Sequence, residues 1–90
     1  MIEFEFDPEK SRSNQEKHGM NFEKAQELWN DPWRMVIPTR CTDEERWIMI
    51  AGLESGLWTV IYTMRNKKIR IISVRKTREN EKAVYYGGRA

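Results

Sequence analysis

Basic residues crowd one stretch of this sequence. Arg65, Lys67, Lys68, Arg70, Arg75, Lys76, Arg78 and Lys82 stand there against Glu79 and Glu81. Such a surface suits a polyanion, and the donor fork of arginine suits a phosphate in particular. The bias runs through the whole chain. Residues 1–45 carry 6 Lys/Arg and 11 Asp/Glu, a net −5, whereas residues 46–90 carry 10 and 3, a net +7. Arg70 is the sharpest feature, because it interrupts the apolar run Ile69-Arg70-Ile71-Ile72. A guanidinium buried there without a partner would be costly, so it must face solvent, a carboxylate or a bound phosphate. Arg75 lies five positions later and in an ideal strand points to the opposite face. For both to reach one phosphate, the strand must end or bulge near Ser73.

Three further groups are candidates. Lys17 and His18 precede Gly19, where they either favour the negative end of a helix or line a site. In Glu44-Glu45-Arg46, the charges either form an exposed cluster or supply Glu45 as the carboxylate beside a basic groove, orienting an arginine or accepting a proton. Tyr85 and Tyr86 are either packing anchors or, beside several cations, a source of a proton-donating phenol. Other chemistries are poorly served. One histidine and one cysteine leave no ligand pair for zinc, and an all-carboxylate magnesium site would have to gather acids from distant segments. There is no Gly-rich phosphate loop and no G-x-S-x-G elbow. No metal and no cofactor is therefore expected.

The elements that must position these residues follow from patterning. Ile2, Phe4 and Phe6 alternate with acids as a half-buried strand does. Asp7-Pro8 opens a helix, with Asp capping and Pro at the first helical position, and Gly19 ends it. Asn21 starts a second helix whose stripe is Phe22, Ala25, Leu28 and Trp29, ended by Asn30-Asp31-Pro32. Strands are expected over 33–37, 47–51, 57–64 and 68–74, with a polar loop over 38–45 and a tight turn at Arg65-Asn66-Lys67. A last helix spans 78–86, capped by Thr77 and stopped by Gly87-Gly88. The order β-α-α-β-β-β-β-α implies one α+β domain over residues 1–90, with helices packed on an antiparallel sheet. The lone Cys41 cannot close an internal disulfide, which fits a reducing compartment. Met1-Ile2-Glu3-Phe4-Glu5 is unlike a signal peptide, and no apolar stretch approaches the ~18–20 residues that span a bilayer. A cytoplasmic location without a membrane partner is expected.

In order along the chain, these residues resemble the BrnT toxin family. The matching pieces are Phe4-Glu5-Phe6-Asp7 with Lys10, Asn14 with Lys17-His18-Gly19, Phe22 with Ala25, and Asp31-Pro32. They continue through Glu44-Glu45-Arg46, Val60-Ile61-Tyr62-Thr63 and Ile69-Arg70-Ile71-Ile72-Ser73-Val74-Arg75 to Glu81 with Tyr85. Departures are Phe6 for the usual Trp, Val74 for the usual Ala, and Tyr86 for a common acid. The resemblance implies a RelE-like fold, metal-independent RNA cleavage that inhibits translation, and a BrnA-like antitoxin with a ribbon-helix-helix DNA-binding domain. Contact with DNA would then come only through that antitoxin. It also makes Arg70, Arg75 and Tyr85 the leading active-site candidates, followed by Lys17, Glu45 and Arg46. Arg65, Lys67, Lys68, Lys76, Arg78 and His18 are left to hold the RNA. Two rival readings are a non-catalytic RNA- or ribosome-binding module using residues 65–82, and a protein-interaction domain.

Overall fold

The structure is a computed structural model, and it describes residues 2–41, 44–54 and 56–87. The chain runs through β1 (Phe4–Glu5), α1 (Pro8–His18), α2 (Phe22–Ala25), a 3₁₀ turn (Gln26–Asn30), β2 (Met35–Cys41), β3 (Glu44–Leu53), β4 (Gly56–Arg65), β5 (Lys68–Lys76) and α3 (Glu79–Gly87). This is the expected α+β order. The five strands form one sheet in the order β1-β5-β4-β3-β2. Strands β2 to β5 pair antiparallel, and β1 joins parallel to β5 at the margin.

Local chemistry sets most boundaries. Asp7 caps α1 by accepting the Glu9 amide at 2.9 Å, and Gly19 ends it at φ +82°. The second helix keeps its expected stripe but tightens into the 3₁₀ turn after Ala25, with Phe22, Ala25, Leu28 and Trp29 all buried. Asn66 and Lys67, both with positive φ, form the two-residue turn that matches the twist of β4 and β5.

Several limits differ from the sequence expectation. The first strand shrinks to two residues, since only the Phe4–Glu5 stretch pairs with β5. Trp33 is not in β2: the Asp31 carboxylate accepts its amide at 2.9 Å, which holds Asp31-Pro32-Trp33-Arg34 in a turn. Pro38 to Cys41 are strand rather than loop, as are Glu44 to Arg46. Pro38 is tolerated because β2 is the outermost strand; Thr42 and Asp43 lie outside the described residues. The last helix begins at Glu79, and the amide of Arg78 is bound by Glu81 Oε1 at 3.0 Å. Thr77 does not cap it, since its hydroxyl meets that of Thr59 at 3.0 Å. Gly88 is outside the described residues.

One face of the sheet carries the main core. Met49 and Ala51 of β3, Val60 and Tyr62 of β4, and Ile69, Ile71 and Val74 of β5 pack there under Met20, Phe22, Leu28 and Trp29. This face is called inner below. Beyond its short pairing with β1, the edge of β5 is sealed by a side chain. Asn14 of α1 donates to the Val74 carbonyl at 2.8 Å and accepts the Val74 amide at 3.2 Å. It also donates to the Met20 carbonyl at 2.7 Å. One buried amide thus ties α1 to the strand edge and to the start of α2. Among the described residues, no helix is long and apolar enough to cross a membrane.

Asn14→Leu should cost about 3 kcal/mol, because it strands the Val74 amide and two carbonyls away from water. Urea unfolding at constant m-value is the measurement. A midpoint unchanged from wild type would remove Asn14 from this role.

Candidate functional site

The site begins with an extra residue in β5. Tyr62 pairs with Ile71 and Ile61 pairs with Ser73, so Ile72 has no partner on β4. This bulge breaks the alternation. Ile69, Ile71 and Val74 all reach the inner face, while Arg70 and Arg75 oppose Thr63 and Thr59 on the outer face. Two arginines five positions apart therefore share a side of the sheet, through the bulge that the sequence required near Ser73 if both were to reach one phosphate.

Among the described residues, half of that outer face has no helix over it. Glu5 of β1 is the register partner of Arg70, and Arg70 is the partner of Thr63. Continuing across the sheet, Arg46 follows on β3 and its partner Thr39 on β2. Arg70 and Arg46 thus flank β4, about 10 Å apart at two strand spacings. Each has a carboxylate close by: Arg70 Nη1 is 3.7 Å from Glu5 Oε1, and Arg46 Nε is 3.6 Å from Glu44 Oε1. Glu44 also lies 3.7 Å from Arg65 Nη2. These separations pair charge without making hydrogen bonds. Glu5 Oε1 and Arg46 Nε are in fact buried with no hydrogen-bond partner among the described residues. Next to this row, Ile61, Ile48 and Ile37 give an apolar floor in register. The arrangement offers guanidinium donors to an anion, with carboxylates placed to orient them or to take up a proton.

The other half of the face is closed by α3. Glu81 grips Arg75 in a two-pronged pair, Nη1 to Oε1 at 2.8 Å and Nη2 to Oε2 at 2.7 Å. Thr59 Oγ1 and the Arg78 amide donate to the same carboxylate at 3.0 Å. The Arg75 guanidinium above all, helped by the Arg78 amide and the Thr59 hydroxyl, holds the Glu81 carboxyl down at about 2. One turn on, the Tyr85 hydroxyl donates to Asp31 Oδ2 at 2.6 Å, and the Gly52 amide donates to the same oxygen at 2.7 Å. Gly52 is six residues along β3 from Arg46, roughly 20 Å of strand.

The structure therefore divides the candidates. Arg70 and Arg46 come together on the open face. Arg75 and Tyr85 are on the same side of the sheet, but each is engaged with a carboxylate beneath α3. Lys17 and His18 lie across the bulge on α1, against Ile72 and Ser73. Glu45 alternates to the inner side, and its backbone carbonyl accepts the Thr63 hydroxyl at 2.7 Å. Lys67, Lys68, Lys76 and Arg78 are exposed around the sheet margin. Sequence reasoning missed Glu5 and Glu44 as the carboxylates beside the arginines. The parity of β3 would have favoured Glu44, two positions before Arg46, over Glu45. Among the described residues, no three His, Cys, Asp or Glu side chains gather as a metal site would require.

Residues 6–81 match the family described as ribonuclease toxin, BrnT, of type II toxin-antitoxin system. The chain belongs to the BrnT family. The matched stretch includes Arg46, Arg70 and Arg75, whereas Glu5 and Tyr85 fall just outside it. No curated protein matches the sequence. A BrnT chain is the toxin half of a two-component system, so an antitoxin partner goes with it.

For this BrnT chain, the Glu81 pair predicts a specific acid sensitivity. The folded carboxyl titrates near 2 and an ordinary one near 4.5, so its stabilisation is complete above the higher value and is lost as pH falls through the lower. Wild type should exceed Glu81→Gln by about 2–3 kcal/mol at pH 7. Urea unfolding across pH should show that difference shrinking below about pH 4.5 and vanishing near 2. A difference independent of pH would contradict the ion-pair assignment.

Proposed function

We propose that the chain is a metal-independent endoribonuclease that cleaves RNA on the open sheet face and so inhibits translation. The observation that carries this reading is the row Glu5–Arg70–Thr63–Arg46, in which two guanidiniums flank a strand and two buried polar atoms lack a hydrogen-bond partner among the described residues. RNA brings its own nucleophile, the 2′-hydroxyl beside the scissile phosphate. In this reading Arg70 and Arg46 hold the phosphate and meet the charge that grows on its oxygens, a task suited to arginine. A carboxylate of this face, Glu5 or Glu44, takes the hydroxyl proton as the 2′-oxygen bonds to phosphorus. The bond from phosphorus to the 5′-oxygen breaks, and that oxygen takes a proton from water. The products are a cyclic phosphate and a 5′-hydroxyl. Neighbouring bases pack on the Ile61–Ile48–Ile37 floor. Arg75 and Tyr85 serve by fastening α3 to the sheet.

The same reading gives the chain a cytoplasmic setting and a BrnA-like antitoxin carrying a ribbon-helix-helix domain, through which alone the pair meets DNA. An acidic segment of that partner would be steered to the stretch from Arg65 to Lys82. Trp33 and Tyr86, both more than half exposed, offer apolar contacts to hold it.

Arg70→Ala should lower cleavage 10²–10³-fold, the usual loss for one transition-state donor. Its stability should change by no more than about 1 kcal/mol, because the Glu5 pair is partly exposed. Gel analysis of RNA fragments alongside urea unfolding tests both; full activity in folded Arg70→Ala would sink the assignment. Wild-type cleavage should persist in EDTA and leave cyclic phosphate ends. Loss of cleavage in EDTA with recovery on adding magnesium would refute the metal-independent mechanism. RNA retardation without any cleavage would replace the enzyme with a binding module.

A further inference from the structure

A groove of about 200 Å³ runs between α1 and β5, with Ile72 and Ser73 of the bulge on one wall. Lys10, Ser13, Asn14 and Lys17 form the opposite wall. Their spacing of i, i+3, i+4 and i+7 puts them on one face of α1, so the groove follows the flank of the helix. His18 adds an imidazole, and among the described residues no carboxylate lines the groove. Lys10, Lys17 and His18 form no ion pair with any described residue. In contrast, Arg46, Arg65, Arg70 and Arg75 each have a carboxylate beside them. The Asn14 amide is committed to Val74 and Met20, which leaves the cations and the two serine hydroxyls facing the groove. Cations gathered without counter-charge repel one another, and an anion among them relieves that cost.

The bulge also fixes where this groove lies. Ser73 opposes Ile61 on the outer face and is three residues from Arg70, roughly 10 Å of strand. The groove therefore lies along β5 from Arg70, the near end of the open row. We infer that it is a second phosphate subsite, holding the RNA backbone one or two nucleotides from the bond that is cut. This rests on the ribonuclease reading. The subsite draws on Lys10 and Lys17 for charge and on Ser13 and Ser73 for hydrogen bonds. It sets strand direction and register, and Arg70 and Arg46 act on the phosphate so placed.

The test is fluorescence anisotropy with a short 2′-O-methyl oligoribonucleotide, which is uncleavable because its nucleophile is blocked. Wild type, Lys10→Ala and Arg12→Ala are compared across a salt series. Lys10 is exposed, so its loss leaves the fold intact. Lys10→Ala should bind about tenfold more weakly. Its slope of log K against log salt should flatten by about 0.7, the value of one single-strand phosphate contact. Arg12, on the same helix but paired with Glu9, should be replaceable by Ala with wild-type affinity and slope. Wild-type affinity and slope in Lys10→Ala would overturn the subsite while leaving RNA cleavage standing. Normal RNA binding by Lys10→Ala with lost antitoxin capture would give the groove to the protein partner instead. Inorganic phosphate should compete only weakly; saturation of the groove by phosphate alone, with no effect on RNA binding, would make the free ion the ligand. A wild-type chain that bound no RNA would remove both the subsite and the ribonuclease reading.

Discussion

The arrangement of charge in this protein depends on one unpaired residue in β5. Without Ile72 as a bulge, side chains would alternate strictly, and Arg75 would be driven to the inner face while Val74 left the core. A guanidinium there would lose its hydration with no carboxylate to meet it. With the bulge, β5 presents Ile69, Ile71 and Val74 to the core and both arginines to the other side. Two residues past the bulge, Asn14 closes the other edge of the strand at Val74. The fold and the charged surface thus share a single irregularity, as bulges beside active sites often do.

The two halves of the outer face handle their charges in opposite ways. Beneath α3, the Glu81 carboxylate receives four donors, from Arg75, Thr59 and the Arg78 amide. A largely buried ion pair is stable only when desolvation is offset this fully, and here it anchors the last helix. On the open half, the ion pairs are about an ångström longer, and Glu5 Oε1 and Arg46 Nε have no hydrogen-bond partner among the described residues. Buried polar atoms left unsatisfied cost stability. Both lie in one row, beside two arginines of the outer face.

Much of the scaffold was legible in the sequence because its signals are local. Asp7-Pro8 and Gly19 bracket α1 through capping and backbone conformation alone, and the Phe22–Trp29 stripe needs only helical spacing. Arg70 amid isoleucines called for solvent, a carboxylate or a phosphate, and the five-residue step to Arg75 required an irregularity near Ser73 only if both were to reach one phosphate. What could not be read depends on distant partners. Tyr85 finds Asp31 across 54 positions, and Glu5 meets Arg70 only through a parallel pairing of two residues. The extent of β2 was hidden by Pro38, whose place on an outer strand is a property of the whole sheet. Glu45 was preferred to Glu44 before the phase of β3 was known, and one position of phase exchanges the faces.

The central claim is that RNA lies on the open row and not at the α3 end of the sheet. Amide chemical-shift mapping of the labelled protein with uncleavable 2′-O-methyl RNA tests this most directly. The account predicts shifts concentrated at Glu5, Arg46, Thr63, Arg70 and Ser73, with Asp31, Gly52 and Tyr85 unmoved. Shifts centred on Asp31, Gly52 and Tyr85, with the row of Arg70 and Arg46 silent, would contradict it.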